Sequence, residues 1–269
     1  MQPKLIALDL DGTTLNPQAQ ITSKTKIILK KAQAAGHLVT IVTGRPYRLS
    51  ANYYDELKLT TPMINFNGAL GHIPHFHWKK EYQKTFPREI ISELLDQKQK
   101  IGIKVIAAEA KESLLIDQPQ NLKSDFFPAQ VSERQILKKS RLKSDPAAVT
   151  LLVEKAQETK IAHWLKANFG SYVNVGVWGG ESPIIELEPH GIDKAFGLAY
   201  LAKNLGISRQ NIIAFGDEHN DREMIEYAGL GVVMQNGTSA LKKAADEITP
   251  LDNAHDGLAD YLQEKLQLG

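Results

Sequence analysis

The sequence predicts an α/β protein that has a doubly wound parallel sheet and an inserted α+β domain. Near both ends of the chain, short apolar runs alternate with amphipathic helical segments, which is the pattern of parallel βα units. In the middle of the chain, strand-like runs come in adjacent pairs, which favours antiparallel pairing. Polar residues follow several of the terminal apolar runs, as they do where parallel sheets bind ligands. Together these observations predict a Rossmann-like core interrupted by a second domain.

The N-terminal segment is predicted to contain three strands that alternate with two helices. Apolar runs indicate the strands, and apolar residues at helical spacing indicate the helices. Thr22 or Ser23 can cap the first helix, and Gly36 can end it. In chain order, the predicted elements are a strand over 5–10, a helix over 21–36, a strand over 38–43, a helix over 45–57 and a strand over 63–67. This order implies parallel strands with right-handed crossovers.

The pattern changes at about residue 70 and returns after residue 190. The middle segment is predicted to contain a hairpin over 71–86, a helix over 87–100, strands over 103–109, 113–118 and 147–154, a helix that ends at 161–170, and strands over 172–178 and 182–189 around a turn at Gly179 and Gly180. The last segment is predicted to contain a helix over 193–205, a strand over 211–216, a helix over 219–228, a strand over 230–234 and helices over 238–246 and 255–267. We therefore expect a discontinuous core domain formed by 1–80 and 190–269, with an inserted domain over 81–189.

Length and composition set limits on the class of protein. A chain of 269 residues is long enough for two domains of roughly 100–170 residues each. The 32 Lys and Arg residues nearly balance the 31 Asp and Glu residues, so the net charge of +1 indicates no nucleic-acid or membrane partner. The absence of cysteine excludes disulfides and thiolate chemistry. The N-terminus is unlike a signal peptide, and no run approaches the ~18 apolar residues of a membrane span, so we expect a cytoplasmic protein. The oligomeric state is not predicted.

The carboxyl ends of the predicted core strands carry polar residues suited to a phosphate group and a hard metal ion. These residues are Asp9 and Asp11 after the first strand, Thr43 and Gly44 after the second, and Asp217, Asn220 and Asp221 after the strand over 211–216. Lys194, near the start of a helix, supplies a cation. Two aspartates at the rim of a buried strand are costly unless their charge is compensated. Since Mg²⁺ binds one or two carboxylates together with substrate phosphate, we predict a site for Mg²⁺ and a phosphate group.

Four of these segments resemble the motifs of haloacid-dehalogenase-like phosphatases. The segments are DLDGT at 9–13, VTGR at 42–45, Lys194 in IELEPHGIDK, and FGDEHNDREM at 215–224. Two further segments, NFNGA at 65–69 and GVVMQNG at 231–237, are similar to landmarks of the Cof-type subfamily, whose members carry a type-2 cap as an α+β insert. The resemblance spans nearly the whole chain, and it implies that the inserted domain is such a cap.

The resemblance implies a role for each site residue. Asp9 would be the nucleophile that forms an aspartyl-phosphate, and Asp11 would act first as general acid and then as general base. The Asp9 side chain, the Asp11 carbonyl and Asp217 would hold Mg²⁺, with Asp221 as an outer or water-mediated partner. The remaining residues would bind the phosphate group: Thr43, Gly44, Lys194 and Asn220. Asn220 would either bond to phosphate or orient Asp217.

Several alternatives stay open from the sequence alone. Thr43 and Asn220 have a second interpretation as helix caps, and Asp221 as a residue that favours a helix dipole. Ala195 follows Lys194 where the subfamily often has Gly, which makes the substrate harder to assign. The leading hypothesis is a phosphatase of small metabolites such as sugar phosphates or related cofactors. The alternatives are a sugar-phosphate mutase or phosphotransferase and a catalytically idle binding module on the same fold.

Overall fold

The chain folds into two compact units. The structure, a computed structural model, describes residues 2–118, 126–128, 130–178 and 183–269. The first unit comprises Met1–Arg45, Ser50–Tyr82 and Asp193–Gly269. The second unit comprises Pro46–Leu49 and Gln83–Ile192.

The described strands and helices are numbered in chain order. The strands are β1 Leu5–Leu8, β2 Leu38–Ile41, β3 Met63–Asn65, β4 Leu70–His72, β5 Tyr82–Gln83, β6 Ile103–Ala110, β7 Ser113–Ile116, β8 Ala148–Val153, β9 Val173–Val177, β10 Ile184–Pro189, β11 Ile212–Gly216, β12 Leu230–Val233 and β13 Glu247–Ile248. The α-helices are α1 Ser23–Ala34, α2 Ala51–Glu56, α3 Glu89–Ile101, α4 Glu158–Phe169, α5 Lys194–Leu205, α6 Arg222–Tyr227, α7 Ser239–Lys242 and α8 Gly257–Lys265.

A parallel five-stranded sheet forms the centre of the first unit. Its strand order is β13-β12-β11-β1-β2, and all four pairings are parallel. β1 lies between β11 and β2 and is completely buried, which explains why its sequence is a continuous apolar run rather than an alternating one. Helices α5 and α6 cover one face, where Leu198 and Ile225 join Leu5 and Ala7 in one buried cluster. The predicted α/β class with a parallel central sheet is confirmed.

The segment predicted as a third parallel strand over 63–67 forms a hairpin instead. β3 pairs antiparallel with β4, and its link to the end of β2 is a parallel bridge between Val42 and Ile64. β3 ends at Asn65 because Phe66 and Asn67 adopt positive φ angles of 50° and 46°, which no strand residue can have. The prediction that the strand continues to residue 67 is therefore wrong.

Three predicted helices begin with or follow a 3₁₀ turn, and the helix predicted over 238–246 is only the four residues of α7. The helix predicted over 45–57 consists of a 3₁₀ turn at Tyr47–Leu49 followed by α2, with a break at Ser50. Likewise, 3₁₀ turns at His219–Asp221 and Asn253–His255 precede α6 and α8. The start of α1 agrees with the prediction, since the Thr22 side chain accepts a hydrogen bond from the backbone N–H of Thr25.

The second unit has an antiparallel sheet with two helices on one face. The strand order is β7-β6-β8-β10-β9, and every adjacent pair is antiparallel. Ile91 of α3 and Leu165 of α4 share a buried cluster with Val149 of β8. Trp178, at the end of β9, donates its indole N–H to Glu186 Oε2 at 3.2 Å. The turn predicted at Gly179 and Gly180 lies outside the described residues.

Among the helices that the structure describes, none combines the length and the apolar character needed to cross a membrane.

Candidate active site

Lys194 links two buried carboxylates at the carboxyl edge of the parallel sheet. Asp9 directly follows β1, and its backbone N–H continues the sheet by donating to Phe215 O at 3.1 Å. Lys194 is the first residue of α5, a helix that the side chain of Asp193 caps. The Lys194 ammonium donates to Asp9 Oδ1 and to Asp221 Oδ1, each at 2.6 Å. With 1% of its surface exposed, Lys194 serves as an internal counter-ion.

Asp221 uses its second oxygen to hold the loop after β11. Asp221 Oδ2 accepts the backbone N–H groups of Asp217 and Glu218 at 2.9 and 3.1 Å. Because the side chain is fully buried, its oxygens depend on protein donors, and each oxygen has at least one. Asp221 thereby fixes the backbone of Asp217 relative to Lys194.

Asp9, Asp217 and Asp221 form a cluster of acidic groups. Each residue offers a carboxylate oxygen, and these oxygens lie within 4.8 Å of one another. Burial raises the pKa of Asp9 well above its usual value, although Lys194 opposes the shift. Burial and then the charge of Asp221 raise the pKa of Asp217 to about 7. Burial alone would lower the pKa of Lys194, but the Asp221 and Asp9 carboxylates outweigh it and the pKa is raised. The raised pKa values of Asp9 and Asp217 show that one lysine does not compensate the full charge of three clustered carboxylates.

The turn after β1 is shaped by its contact with Asp217. Gly12 has a φ of 71°, and a Cβ atom placed on it would lie 2.1 Å from Asp217 Oδ2. The next residue, Thr13, donates its hydroxyl to Asp217 Oδ1 at 3.1 Å. Thr14 donates its hydroxyl to the Asp9 carbonyl at 2.6 Å. Thr13 was not among the predicted site residues, although its place in the DLDGT segment was the available signal.

Replacing Gly12 by Ala is expected to abolish most phosphate release and to lower stability. The new methyl group would displace the Asp217 carboxylate, and the left-handed backbone would add about 1–2 kcal/mol of strain. Gly206→Ala is the matched control, because Gly206 has a φ of 69° with nothing within 4 Å of the added atom. Phosphate release and urea unfolding should show both variants destabilised but only Gly12→Ala inactive. Equal activity in the two variants would contradict the proposed role of Asp217.

Asp11 points away from the acidic cluster and pairs with Arg45. Arg45 Nε donates to Asp11 Oδ2 at 2.7 Å, and a terminal guanidinium nitrogen donates to Oδ1 at 2.5 Å. The Asp11 side chain is 60% exposed. Burial works against the charge of Arg45, but the hydrogen bonds from Arg45 to Asp11 outweigh it and raise the pKa of the guanidinium. The second aspartate of the DLDGT segment is thus bound to Arg45 and is not a member of the cluster formed by Asp9, Asp217 and Asp221.

The remaining predicted residues lie on the loops that follow β2 and β11 in the same unit. Thr43 is buried, and its hydroxyl accepts the backbone N–H of Arg45 at 3.1 Å. A Cβ atom on Gly44 would lie 2.9 Å from Asn67 Oδ1, so the glycine lets the two loops meet. Asn220 donates its amide to that same Asn67 oxygen at 3.0 Å. Asn67 therefore joins the loops that follow β2 and β11.

Histidines in the hairpin region make local contacts. His72 Nε2 lies 3.0 Å from Asn65 Oδ1, and His75 Nε2 lies 2.8 Å from Asp55 Oδ1.

A family model of haloacid dehalogenase-like hydrolases matches residues 6–262. The chain belongs to the haloacid dehalogenase-like hydrolase family. The resemblance found from the motifs is thereby confirmed, and so is the enzyme class: this haloacid dehalogenase-like protein is a hydrolase of phosphate monoesters of small metabolites.

Individual relatives and a solved structure match this haloacid dehalogenase-like hydrolase over almost its full length. The 5-amino-6-(5-phospho-D-ribitylamino)uracil phosphatase YitU of Bacillus subtilis (strain 168) is 34% identical over 268 residues, covering 99% of each chain. The pyridoxal phosphate phosphatase YbhA of Escherichia coli (strain K12) is 27% identical, covering 99% of this chain and 100% of its own. A haloacid dehalogenase-like hydrolase from Bacteroides thetaiotaomicron has a crystal structure that matches with a TM-score of 0.79 at 26% identity, covering 98% of this chain and 100% of its own.

Proposed function

We propose that this phosphatase works with Mg²⁺ and forms an aspartyl-phosphate on Asp9. The observation that carries the proposal is the buried Asp9 carboxylate, which Lys194 holds at 2.6 Å beside two further aspartates. A carboxylate in this setting is fixed in one orientation and is shielded from bulk water. Both conditions favour its attack on a bound phosphate group.

The donor set of the acidic cluster fits Mg²⁺. Its ligand atoms are carboxylate oxygens, which a hard cation prefers, and Lys194 bonds to two of the three carboxylates, those of Asp9 and Asp221. Asp9 and Asp217 would hold the ion, together with the Asp11 carbonyl. Asp221 would keep them in place by binding the Lys194 ammonium and the backbone of the Asp217 loop. When bound, Mg²⁺ would neutralise charge between the phosphate group and the attacking carboxylate.

In the first half of the reaction, the phosphoryl group moves from the substrate to Asp9. Lys194 has three N–H donors and gives two of them to Asp9 and Asp221, so the third is left for a phosphoryl oxygen. The Thr43 hydroxyl and the backbone beside Gly44 would bind the other oxygens. An Asp9 oxygen attacks phosphorus, the bond to the leaving oxygen breaks, and that oxygen takes a proton from Asp11. Because Arg45 engages both Asp11 oxygens, this pair must open before Asp11 can donate.

In the second half, water releases the phosphoryl group from Asp9. The Asp11 carboxylate takes a proton from the attacking water, and the water oxygen bonds to phosphorus. The bond from phosphorus to the Asp9 oxygen breaks, which yields inorganic phosphate and restores the Asp9 carboxylate. Asp11 ends the cycle with the proton that it gave up in the first half.

We propose 5-amino-6-(5-phospho-D-ribitylamino)uracil as the substrate. Support comes from the 34% identity to YitU over 99% of both chains. The test is phosphate release with this compound, pyridoxal 5′-phosphate and a set of hexose phosphates, each with Mg²⁺ and with EDTA. We expect the aminouracil phosphate to have the highest kcat/KM by at least about tenfold, a margin of 1.4 kcal/mol in transition-state binding. A higher kcat/KM for another compound would overturn the substrate assignment.

Product analysis separates hydrolysis from transfer to another acceptor. Hydrolysis in ¹⁸O-labelled water should place one labelled oxygen in the released phosphate, because water attacks phosphorus. A phosphorylated isomer without inorganic phosphate would indicate a mutase. Absence of turnover with every compound would favour the binding-module alternative.

A further inference from the structure

One turn contacts both loops that carry the acidic cluster. The turn follows β12 and has the sequence MQNGT over 234–238. Asn236 Nδ2 donates to the Gly12 carbonyl at 2.8 Å. Two residues later, the backbone N–H of Thr238 donates to the Asp217 carbonyl at 2.9 Å. A single short turn thereby sets the separation between the loop after β1 and the loop after β11.

The Gly12 carbonyl lies in the segment that makes contact with the Asp217 carboxylate. It belongs to the peptide group that joins Gly12 to Thr13, and the Thr13 hydroxyl donates to Asp217 Oδ1 at 3.1 Å. A Cβ atom on Gly12 would lie 2.1 Å from Asp217 Oδ2, so Gly12 packs closely against the same carboxylate. Displacement of the Gly12–Thr13 segment would therefore change both contacts that place the Asp217 carboxylate.

Asn236 is itself fixed by its second amide atom. Its Oδ1 accepts the backbone N–H of Asn253 at 3.0 Å, while its Nδ2 serves Gly12. Asn253 also donates its own side-chain amide to the Leu15 carbonyl at 2.7 Å, farther along the same loop. An amide at position 236 is thus used as donor and as acceptor, which a carboxylate of the same shape cannot match.

We propose that Asn236 is a positioning residue that places Asp217 relative to Asp9 and so sets the affinity of the acidic cluster for a divalent cation. This inference rests on the proposed function. Asn236 touches neither the cluster nor substrate in this scheme, and it acts through the Gly12–Thr13 peptide group.

The test compares Asn236→Asp with Asn253→Asp in direct binding of Mn²⁺ to the full chain. Mn²⁺ suits carboxylate ligands, and the paramagnetic resonance signal of the free ion is lost on binding, so the readout is independent of activity. Both variants add one negative charge, which by itself would strengthen cation binding. We expect Asn236→Asp to raise the Kd for Mn²⁺ about tenfold despite that charge. Asn253→Asp should leave it within about twofold, since the Asn253 side chain bonds to the Leu15 carbonyl and not to the Gly12–Thr13 peptide group.

Activity and folding complete the test. Asn236→Asp should need about tenfold more Mg²⁺ for half-maximal phosphate release while the KM for substrate at saturating Mg²⁺ changes little. If Asn236→Asp fails to unfold cooperatively in EDTA, Asn236→Ala takes its place. Equal Mn²⁺ affinity in the two Asp variants would overturn the role of Asn236 and leave the proposed function intact. Failure of the parent chain to bind Mn²⁺ would overturn the metal site and this inference together.

Discussion

Replacing Asp9 by Asn is expected to lower Mg²⁺-dependent phosphate release by at least about 10³-fold. The amide keeps the shape of the carboxylate but is a poor nucleophile toward phosphorus. Phosphate assays at saturating substrate measure the loss. Mass spectrometry of the acid-quenched protein should find a phosphoryl adduct on the parent chain and none on the variant.

The same variant is expected to keep its stability, which separates chemistry from folding. Burial raises the pKa of Asp9, so the ionised carboxylate is costly in the native state. A neutral amide removes that cost and still accepts a hydrogen bond from Lys194. Asp260→Asn, at a half-buried position of α8 where Asp260 pairs with Lys24, is the control and should retain full activity. Activity of Asp9→Asn within about tenfold of the parent would refute Asp9 as the nucleophile.

Replacing Lys194 by Met is expected to destabilise the protein by about 3–5 kcal/mol at pH 8. The change leaves the buried Asp9 and Asp221 carboxylates without their shared counter-ion. Met fills a similar volume, so the loss reports charge rather than a cavity. Urea unfolding in the presence of EDTA measures it, and phosphate release should be lost as well.

The loss of stability caused by Lys194→Met should be larger at pH 8 than at pH 5. Without the lysine, its charge no longer opposes the effect of burial on the pKa of Asp9, which is raised further above its value in the unfolded chain. The folded state then binds more protons than the unfolded state. The stability of the variant should therefore fall as pH rises from 5 to 8 and recover at acid pH, where the Asp9 carboxyl is protonated. Lys203→Met, on the exposed side of the same helix, should change stability by less than about 0.5 kcal/mol. A loss that is as large at pH 5 as at pH 8 would contradict the counter-ion role of Lys194.

Much of the site could be predicted because its residues follow strands directly. Parallel strands bring their carboxyl ends to one edge, so Asp9 after β1 and Asp217 after β11 had to lie close together once the strands were identified. The position of Lys194 at the start of α5 needed the family motif, because helix spacing alone cannot tell an exposed lysine from a buried one. The pairing of Asp11 with Arg45 depended on side-chain directions that no spacing rule fixes.

Other features depend on contacts between distant segments. The 3₁₀ turn Tyr47–Leu49 follows β2 in the chain, yet it groups with the second unit, where Arg48 Nε bonds to Glu109 Oε2 at 2.8 Å. Strand β13 has only two residues, too few to show a periodic pattern in the sequence. It is recognised as a strand only by its pairing with β12. The contacts of Thr13 with Asp217 and of Asn236 with Gly12 could be identified only from the folded structure.

The sequence by itself determined the α/β class, which polar residues follow the core strands, and the family. Hydrophobic periodicity and short motifs are local properties, so they can be recognised without knowing which residues are in contact. The tertiary structure decided which carboxylates share Lys194, why Gly12 must lack a side chain, and how one asparagine reaches the loop of Asp9. These depend on distances between residues more than 180 positions apart in the chain, such as Lys194 and Asp9, which only the packed fold brings together.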